Sequence, residues 1–267
     1  MSTILITGAA GGIGTALRPR LARPGRTLRL LDLEPLEAGP GEEAVRASVT
    51  DLAAVTEACR DADAVIHLGG LSGEAPWPRI LETNIDGTYK VFEAARRAGV
   101  PRVVFASSNH AVGFHTPADY PLSEDTTTLP DTYYGASKVA GEALGALYHH
   151  RYGLDVIVVR ILTCFPKPLD LRALSTWLSY DDCGRLFEAC ITAEKPGYRV
   201  VYGVSANTRG GWVSLEGAAA LGYVAKDDAE AYAGELLAEH GEPDPADRLF
   251  TYLGGHFTSP RLDADNL

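Results

Sequence analysis

Positive charge is scarce in this chain of 267 residues: 24 lysines and arginines stand against 35 aspartates and glutamates, for a net charge of −11. That balance argues against nucleic acid and against an anionic membrane as partners, since both require clustered cations. It also means that an anionic ligand would need a dedicated local cation. Long apolar runs are missing as well. The run DVIVVRIL is interrupted by Arg160, and nothing approaches the length of a membrane span. The opening MSTILITGAA leads straight into a strand-like stretch and a glycine-rich turn, so no signal peptide is expected. Cysteine is limited to Cys59, Cys164, Cys183 and Cys190, without paired or metal-like spacing. Reduced thiols in a cytoplasmic compartment are therefore expected, and no metal site.

What the chain does contain is 46% apolar residues, enough for a sizeable core. Short β-rich runs at Thr3–Thr7, Thr27–Leu31, Ala64–Leu68, Val103–Ala106 and Val156–Ile161 alternate with segments of helical spacing. In Ile80–Ala98, for example, Ile80, Leu81, Ile85, Thr88, Val91, Phe92 and Ala95 make one stripe. Near-continuous apolar strands alternating with helices predict an α/β fold: a Rossmann-type, doubly wound parallel sheet covered on both faces. From about Thr163 the rhythm changes. Pro166 and Pro168 interrupt it, and the tail holds the turn-rich GEPDPAD and YLGGHFTSP. Residues 1–162 are read as the nucleotide-binding domain and 163–267 as a small, partly irregular substrate lobe integrated with it. In the segment SYDDC, Asp182 is expected to cap a helix running to Ala193, which explains the Asp181–Asp182 pair without a metal. His149 and His150 read as solvated residues near a helix C-terminus.

The first strand ends in TGAAGGIGTAL, with Gly8, Gly11 and Gly14 spaced GxxGxxG. Glycines there let the backbone approach a pyrophosphate seated on the N-terminus of the next helix. The following strand ends in RLLDLEP, which places Asp32 to accept hydrogen bonds from an adenosine ribose. Its carboxylate, with Glu34 nearby, would repel the extra phosphate of NADP, so the expected cofactor is NAD. Asp51, after a further short strand, has two readings of equal weight: contact with the adenine end, or the N-cap of Leu52–Cys59.

The stretch DTYYGASKVAGEA places Tyr134 four residues before Lys138, hence on one helical face. A phenol ionises near pH 10, and a neighbouring ammonium favours the phenolate. With 12 tyrosines and five lysines in the chain, about 0.2 such pairs arise by chance, so the pair alone is a weak signal.

In chain order, TGAAGGIG, DAVIHLGG, FASSNH and YGASK together resemble the extended short-chain dehydrogenase/reductase family, in its NAD-dependent epimerase/dehydratase branch. The resemblance implies a reaction centre of Ser108, Tyr134 as base, and Lys138. It implies that Gly69 and Gly70 pass beneath the cofactor, with Asn84 on the helix behind. The whole cofactor set expected is Gly8, Gly11, Gly12, Ile13, Gly14, Asp32, Leu33, Asp51, Leu52, Leu68, Gly69, Gly70, Asn84, Tyr134 and Lys138. HLGGLSGEAPW, FASSNHAVGF, RALSTWLSYDD and GVSAN are further similar to bacterial uronate dehydrogenases. That likeness implies a small-molecule uronic acid oxidised at its anomeric carbon to an aldarolactone. It assigns sugar contacts to Ser72, Ser108, Asn109, His110, Tyr134, Thr163, Arg172 and Phe257. Arg172 is the residue suited to hold a carboxylate through two parallel hydrogen bonds. Leu162 and Phe165 are bulkier than the pattern leads one to expect. Homo-oligomers paired through Glu82–Ala98 and Thr132–Arg151 are also implied. The rival readings are a sugar-nucleotide epimerase or dehydratase, for which the C-terminal lobe is short, and a non-catalytic NAD sensor, which would not need Tyr134 and Lys138.

Overall fold

Each apolar run sends alternate side chains to opposite faces, and both faces are buried. Ile4, Ile6, Val104, Ala106, Ile157 and Val159 enter one core, while Leu5, Val103, Phe105, Val156 and Val158 enter the other. The computed structural model describes residues 1–260 and 262, so the end of the span read as 163–267 lies outside the described residues. The runs form β1 (Ser2–Thr7), β2 (Arg26–Asp32), β3 (Glu42–Arg46), β4 (Ala64–His67), β5 (Arg102–Ser108) and β6 (Asp155–Ile161). Thr163–Cys164 and Trp177–Leu178 pair separately as β7 and β8, and β9 is Tyr198–Gly203. The main sheet is parallel in every pairing, with seven strands in the order β3-β2-β1-β4-β5-β6-β9. The order reverses on either side of β1, which opens a crevice at the carboxyl ends of β1 and β4.

The helices up to residue 192 are α1 (Gly12–Leu21), α2 (Leu52–Ala58), α3 (Trp77–Arg79), α4 (Gly87–Ala98), α5 (Tyr133–Tyr152), α6 (Ala173–Thr176) and α7 (Tyr180–Thr192). After them come α8 (Glu216–Ala220), α9 (Ala233–His240) and α10 (Arg248–Thr251). α1 and α7 cover one face through Leu17, Leu21, Leu186 and Phe187. α2, α4 and α5 cover the other through Val55, Val91, Phe92 and Tyr148. Between α3 and α4, residues Ile80–Asp86 adopt the wider π-helical winding, so the stripe expected over Ile80–Ala98 is helical throughout but not α-helical throughout. Among the described residues, no helix is long and apolar enough to cross a membrane.

Two features depart from the sequence expectation. The seventh strand comes from the C-terminal third: β9 pairs with β6 from Val156↔Tyr198 to Ile161↔Gly203, so a line drawn at 162/163 crosses the sheet. As an edge strand with Arg199 exposed, it lacks the uninterrupted apolar run of the central strands. The cap of α7 is Ser179, not Asp182. Ser179 Oγ accepts the Asp182 amide at 2.8 Å, while the fully buried Asp182 carboxylate takes the amides of Lys226 and Asp227 and pairs with Arg185.

α5 is held tightly to the sheet. A Cβ at Gly141 would lie 2.3 Å from the Phe105 ring, so only glycine permits this approach. One turn below Lys138, Glu142 forms a bidentate pair with Arg160 of β6 at 3.0 and 2.8 Å. Ser107 donates to the same carboxylate at 2.6 Å, and Arg160 donates to the Tyr202 hydroxyl at 3.1 Å. Glu142 and Arg160 are only 5% and 2% exposed. Removing one partner of such a pair strands a buried charge, so Glu142→Ala is expected to cost about 3–5 kcal/mol of stability. Chemical unfolding reads this as a lowered midpoint; an unchanged midpoint would remove the pair from the account.

Candidate active site

The site begins where β1 stops. Gly8 turns the chain with φ +71°, and a Cβ there would sit 2.7 Å from the Gly69 amide nitrogen. A Cβ at Gly14 would fall 2.5 Å from the Gly8 carbonyl, so helix and turn can meet only through glycine. α1 starts at Gly11 with no side-chain cap and no acid in its first turn. Its first amides, at the positive end of the helix dipole, are left for an anion. At the end of β2, Asp32 accepts the Ala10 amide at 2.9 Å and the Glu34 amide at 3.1 Å, which ties it to the glycine turn. These groups line one cavity of about 1030 Å³. Uncapped amides beside a carboxylate at the end of the next strand fit a dinucleotide.

Of the expected cofactor residues, Gly8, Gly11, Gly12, Ile13, Gly14, Asp32, Leu33, Leu68, Gly69, Gly70, Tyr134 and Lys138 line this cavity. Asp51, Leu52 and Asn84 do not. Asp51 caps α2 by accepting the Ala53 and Ala54 amides, both at 3.0 Å, and Ala47–Thr50 form the wall beside Asp32 instead. Asn84, 3% exposed, binds the Leu71 amide and carbonyl at 2.8 and 3.0 Å and Ser137 at 3.2 Å. It fixes the loop after β4 from within the π-helical turn. Sequence reasoning passed over His67. Its Nδ1 meets the Thr7 hydroxyl at 2.8 Å and its Nε2 the Thr88 hydroxyl at 3.1 Å, and Thr7 in turn accepts the Gly69 amide at 3.2 Å. Burial, helped by Lys138, pushes the His67 pKa down to about 3, so the ring is a neutral brace beneath the turn.

Next along the cavity stand Ser108, at the end of β5, and Tyr134 and Lys138, one turn apart on α5. The Ser108 hydroxyl lies near enough to the Tyr134 phenol to favour its ionised form. The Lys138 ammonium donates to the Ala106 carbonyl at 2.9 Å and lies 5.3 Å from the Tyr134 ring centre. The expected lowering of the Tyr134 pKa by Lys138 does not occur in the chain alone. Burial pushes it up to about 12, against the opposing pull of Ser108 and with a further upward push from Asp131. Burial also brings Lys138 down to about 8. Desolvation of both groups outweighs their mutual attraction.

The third part of the cavity is lined by Ser72, Asn109, His110, Thr163, Phe165, Arg172 and Phe257, with Leu162 beside them. Arg172 is 9% exposed. It donates to Thr163 at 3.0 Å, to Thr176 at 3.4 Å and to the Leu253 carbonyl, while its Nε has no partner. No carboxylate pairs with it among the described residues, and burial lowers its pKa. His110 Nδ1 lies 2.7 Å from Asp131 Oδ2, and its ring packs on Phe257 with centres 4.2 Å apart. Two carboxylates that the sequence reading left unassigned support this region. Asp131 sits behind His110, and Glu74 accepts the Tyr133 and Tyr134 amides at 3.1 and 2.8 Å, docking the loop after β4 on the N-terminus of α5. Only a contact between distant segments reveals either.

Residues 4–168 match the family described as NAD dependent epimerase/dehydratase. A uronate dehydrogenase of Pseudomonas putida is 43% identical over 95% of this chain and 94% of its own length. One of Agrobacterium fabrum is 44% identical, over 96% and 97%. The crystal structure of a mutant uronate dehydrogenase from Agrobacterium tumefaciens, complexed with NAD, superposes with a TM-score of 0.91 at 43% identity, covering 97% of both chains. With the glycine turn, Asp32 and the Ser108–Tyr134–Lys138 centre gathered on one parallel sheet, the chain belongs to the NAD-dependent epimerase/dehydratase family.

Proposed function

We propose that this protein is an NAD-dependent uronate dehydrogenase, oxidising a hexuronic acid at its anomeric carbon to an aldarolactone. The observation that carries the substrate class is Arg172: a buried guanidinium without an acidic partner among the described residues, in the same cavity as the Tyr134 centre. A chain with a net charge of −11 gains nothing from such a cation unless a ligand supplies the counter-charge. A uronate carboxylate matches the planar fork of the side chain. The relatives named uronate dehydrogenase point to the same substrate.

In this reading the amides of Gly12 and Ile13 hold the pyrophosphate of NAD, Asp32 its adenosine ribose, and Tyr134 and Lys138 the nicotinamide side. Bound NAD supplies the acceptor for the hydride that leaves the anomeric carbon. Ser108 holds the reacting hydroxyl, and Tyr134 takes its proton. Arg172 fixes the far carboxylate, so binding energy remote from the reaction orients the reacting carbon. Because the sugar reacts as its ring hemiacetal, the product is a lactone. The four free cysteines suit a reducing, cytoplasmic compartment. A homo-oligomer is part of the reading as well, supported by Leu81, Tyr89, Leu147 and Tyr152, which stand 40–46% exposed on Ile80–Asp86, α4 and α5. Light scattering should return a mass above that of one chain; a monomer at micromolar concentration would count against it.

The decisive assay follows reduced nicotinamide absorbance with galacturonate, glucuronate, their neutral aldoses and a phosphorylated aldose. Uronates should react best, and preference for a neutral sugar would discard the carboxylate reading. Tyr134→Phe should lose about 10²–10⁴-fold in turnover while still binding NAD; retained activity would mean another base. Arg172→Ala removes charge-assisted hydrogen bonds and should lower the ratio of uronate to aldose kcat/KM about 10–100-fold. An unchanged ratio would take Arg172 out of recognition. Since Tyr134 titrates near 12, its basic form grows as pH rises through neutrality, and kcat/KM should climb. The climb should bend near 8, where Lys138 loses its charge, and the bend should vanish in Lys138→Met.

A further inference from the structure

Asp131 is not part of the cavity wall, yet three separate stretches of chain close on its side chain, which has 0% exposure. It stands just before Thr132, the N-cap of α5, and its Oδ1 accepts the Thr132 hydroxyl at 3.0 Å. Its Oδ2 is 2.7 Å from His110 Nδ1. The backbone of the 109–113 turn and that of the 252–258 segment meet over this oxygen, with the Gly254 amide donating to the Gly113 carbonyl at 2.8 Å. A Cβ at Gly113 would lie 2.0 Å from Oδ2, and one at Gly254 1.9 Å. Both positions are thus shaped around the carboxylate. The same two segments carry His110 and Phe257, whose rings pack together beside the edge of Tyr134, 5.7 Å from His110.

We infer that Asp131 is a positioning residue for the sugar site, acting through His110 by holding the imidazole with its proton on Nδ1. This rests on the uronate reading for the ligand, though not for the geometry. A carboxylate only accepts, so Nδ1 must donate, and in the neutral ring Nε2 becomes an acceptor for a sugar hydroxyl. Hydroxyl groups are the hydrogen-bond donors that a uronate ring carries. With the tautomer undefined, half the possible ring states would present N–H to the sugar, and orientation at the anomeric carbon would suffer. Asp131 also faces Tyr134 and Arg172 electrostatically, so one buried charge is felt at both ends of the sugar.

Asp131→Asn is nearly isosteric but presents either an oxygen or an amide to Nδ1, so it releases the tautomer. With the favoured uronate it should lower kcat/KM about 10–100-fold, by analogy with carboxylates that orient metal-binding histidines. NAD affinity, measured by titration calorimetry, should stay within about twofold, since the cofactor end is separate. Introduced into His110→Ala, the same change should have almost no further effect. Equal losses in both backgrounds would show that Asp131 acts independently of His110 and would overturn the inference, as would an Asp131→Asn enzyme with unaltered kcat/KM. If that variant fails to fold, ¹⁵N-histidine NMR of the unaltered protein decides, with His110 assigned by its loss in His110→Ala. A protonated Nδ1 is expected; a ring protonated on Nε2 alone would overturn it. Should the unaltered enzyme ignore uronates, the substrate reading fails, and the NMR result still judges Asp131.

Discussion

The close docking of α5 on β5 is the constraint on which the site depends. Tyr134, Lys138 and Glu142 recur every four residues along one face; Tyr134 stands near Ser108, Lys138 donates to the Ala106 carbonyl, and Glu142 holds Arg160 and Ser107. Gly141 lets the helix come near enough for these contacts. Its N-terminus is held by Glu74 from the loop after β4, and Ser137 is tied through Asn84 to the same loop. A slip of one residue along this helix would rotate the phenol out of the cavity and break the buried ion pair at the same time. Position at the reacting end and stability of the core are therefore one property of one interface.

Charge is handled in two different ways. Where the cation has a structural task, as with Arg160, a buried carboxylate neutralises it. Lys138 and Arg172 lie in the cavity, and among the described residues only neutral carbonyls and hydroxyls bind them. Desolvation lowers the pKa of both, which means the folded chain stores an electrostatic cost at its functional cavity. A ligand bearing negative charge relieves that cost, so the arrangement converts folding energy into selectivity. Net acidity elsewhere on the molecule makes the contrast sharper.

Two acidic residues show what local pattern leaves open. Asp51 caps α2, one of its two readings, while Asp182 binds the Lys226 and Asp227 amides where a helix cap was expected. Local pattern cannot distinguish these outcomes, because one backbone amide looks like another to a carboxylate. The Tyr134–Lys138 pair shows a further limit. Spacing establishes that they share a face, but the sign of the pKa shift depends on burial, and burial here wins.

Much of the fold was legible because it rests on local rules. The parallel sheet follows from near-continuous apolar runs alternating with helical stripes, and the nucleotide end follows from glycines whose absent side chains permit backbone contact. Thr7–Gly14 and Asp32 needed only the chain order of strand, turn and helix. β9 was not legible, since an edge strand is defined by the neighbour it pairs with. Nor were His67, Glu74 and Asp131. His67 and Glu74 act on residues 59 or 60 positions away, and Asp131 on His110, 21 residues before it, and on a segment more than 120 after it. The residue types and their spacing determined which chemistry the chain carries. Only tertiary packing decided which carboxylates support it, because removing a group from water and choosing its partner are acts of the folded whole.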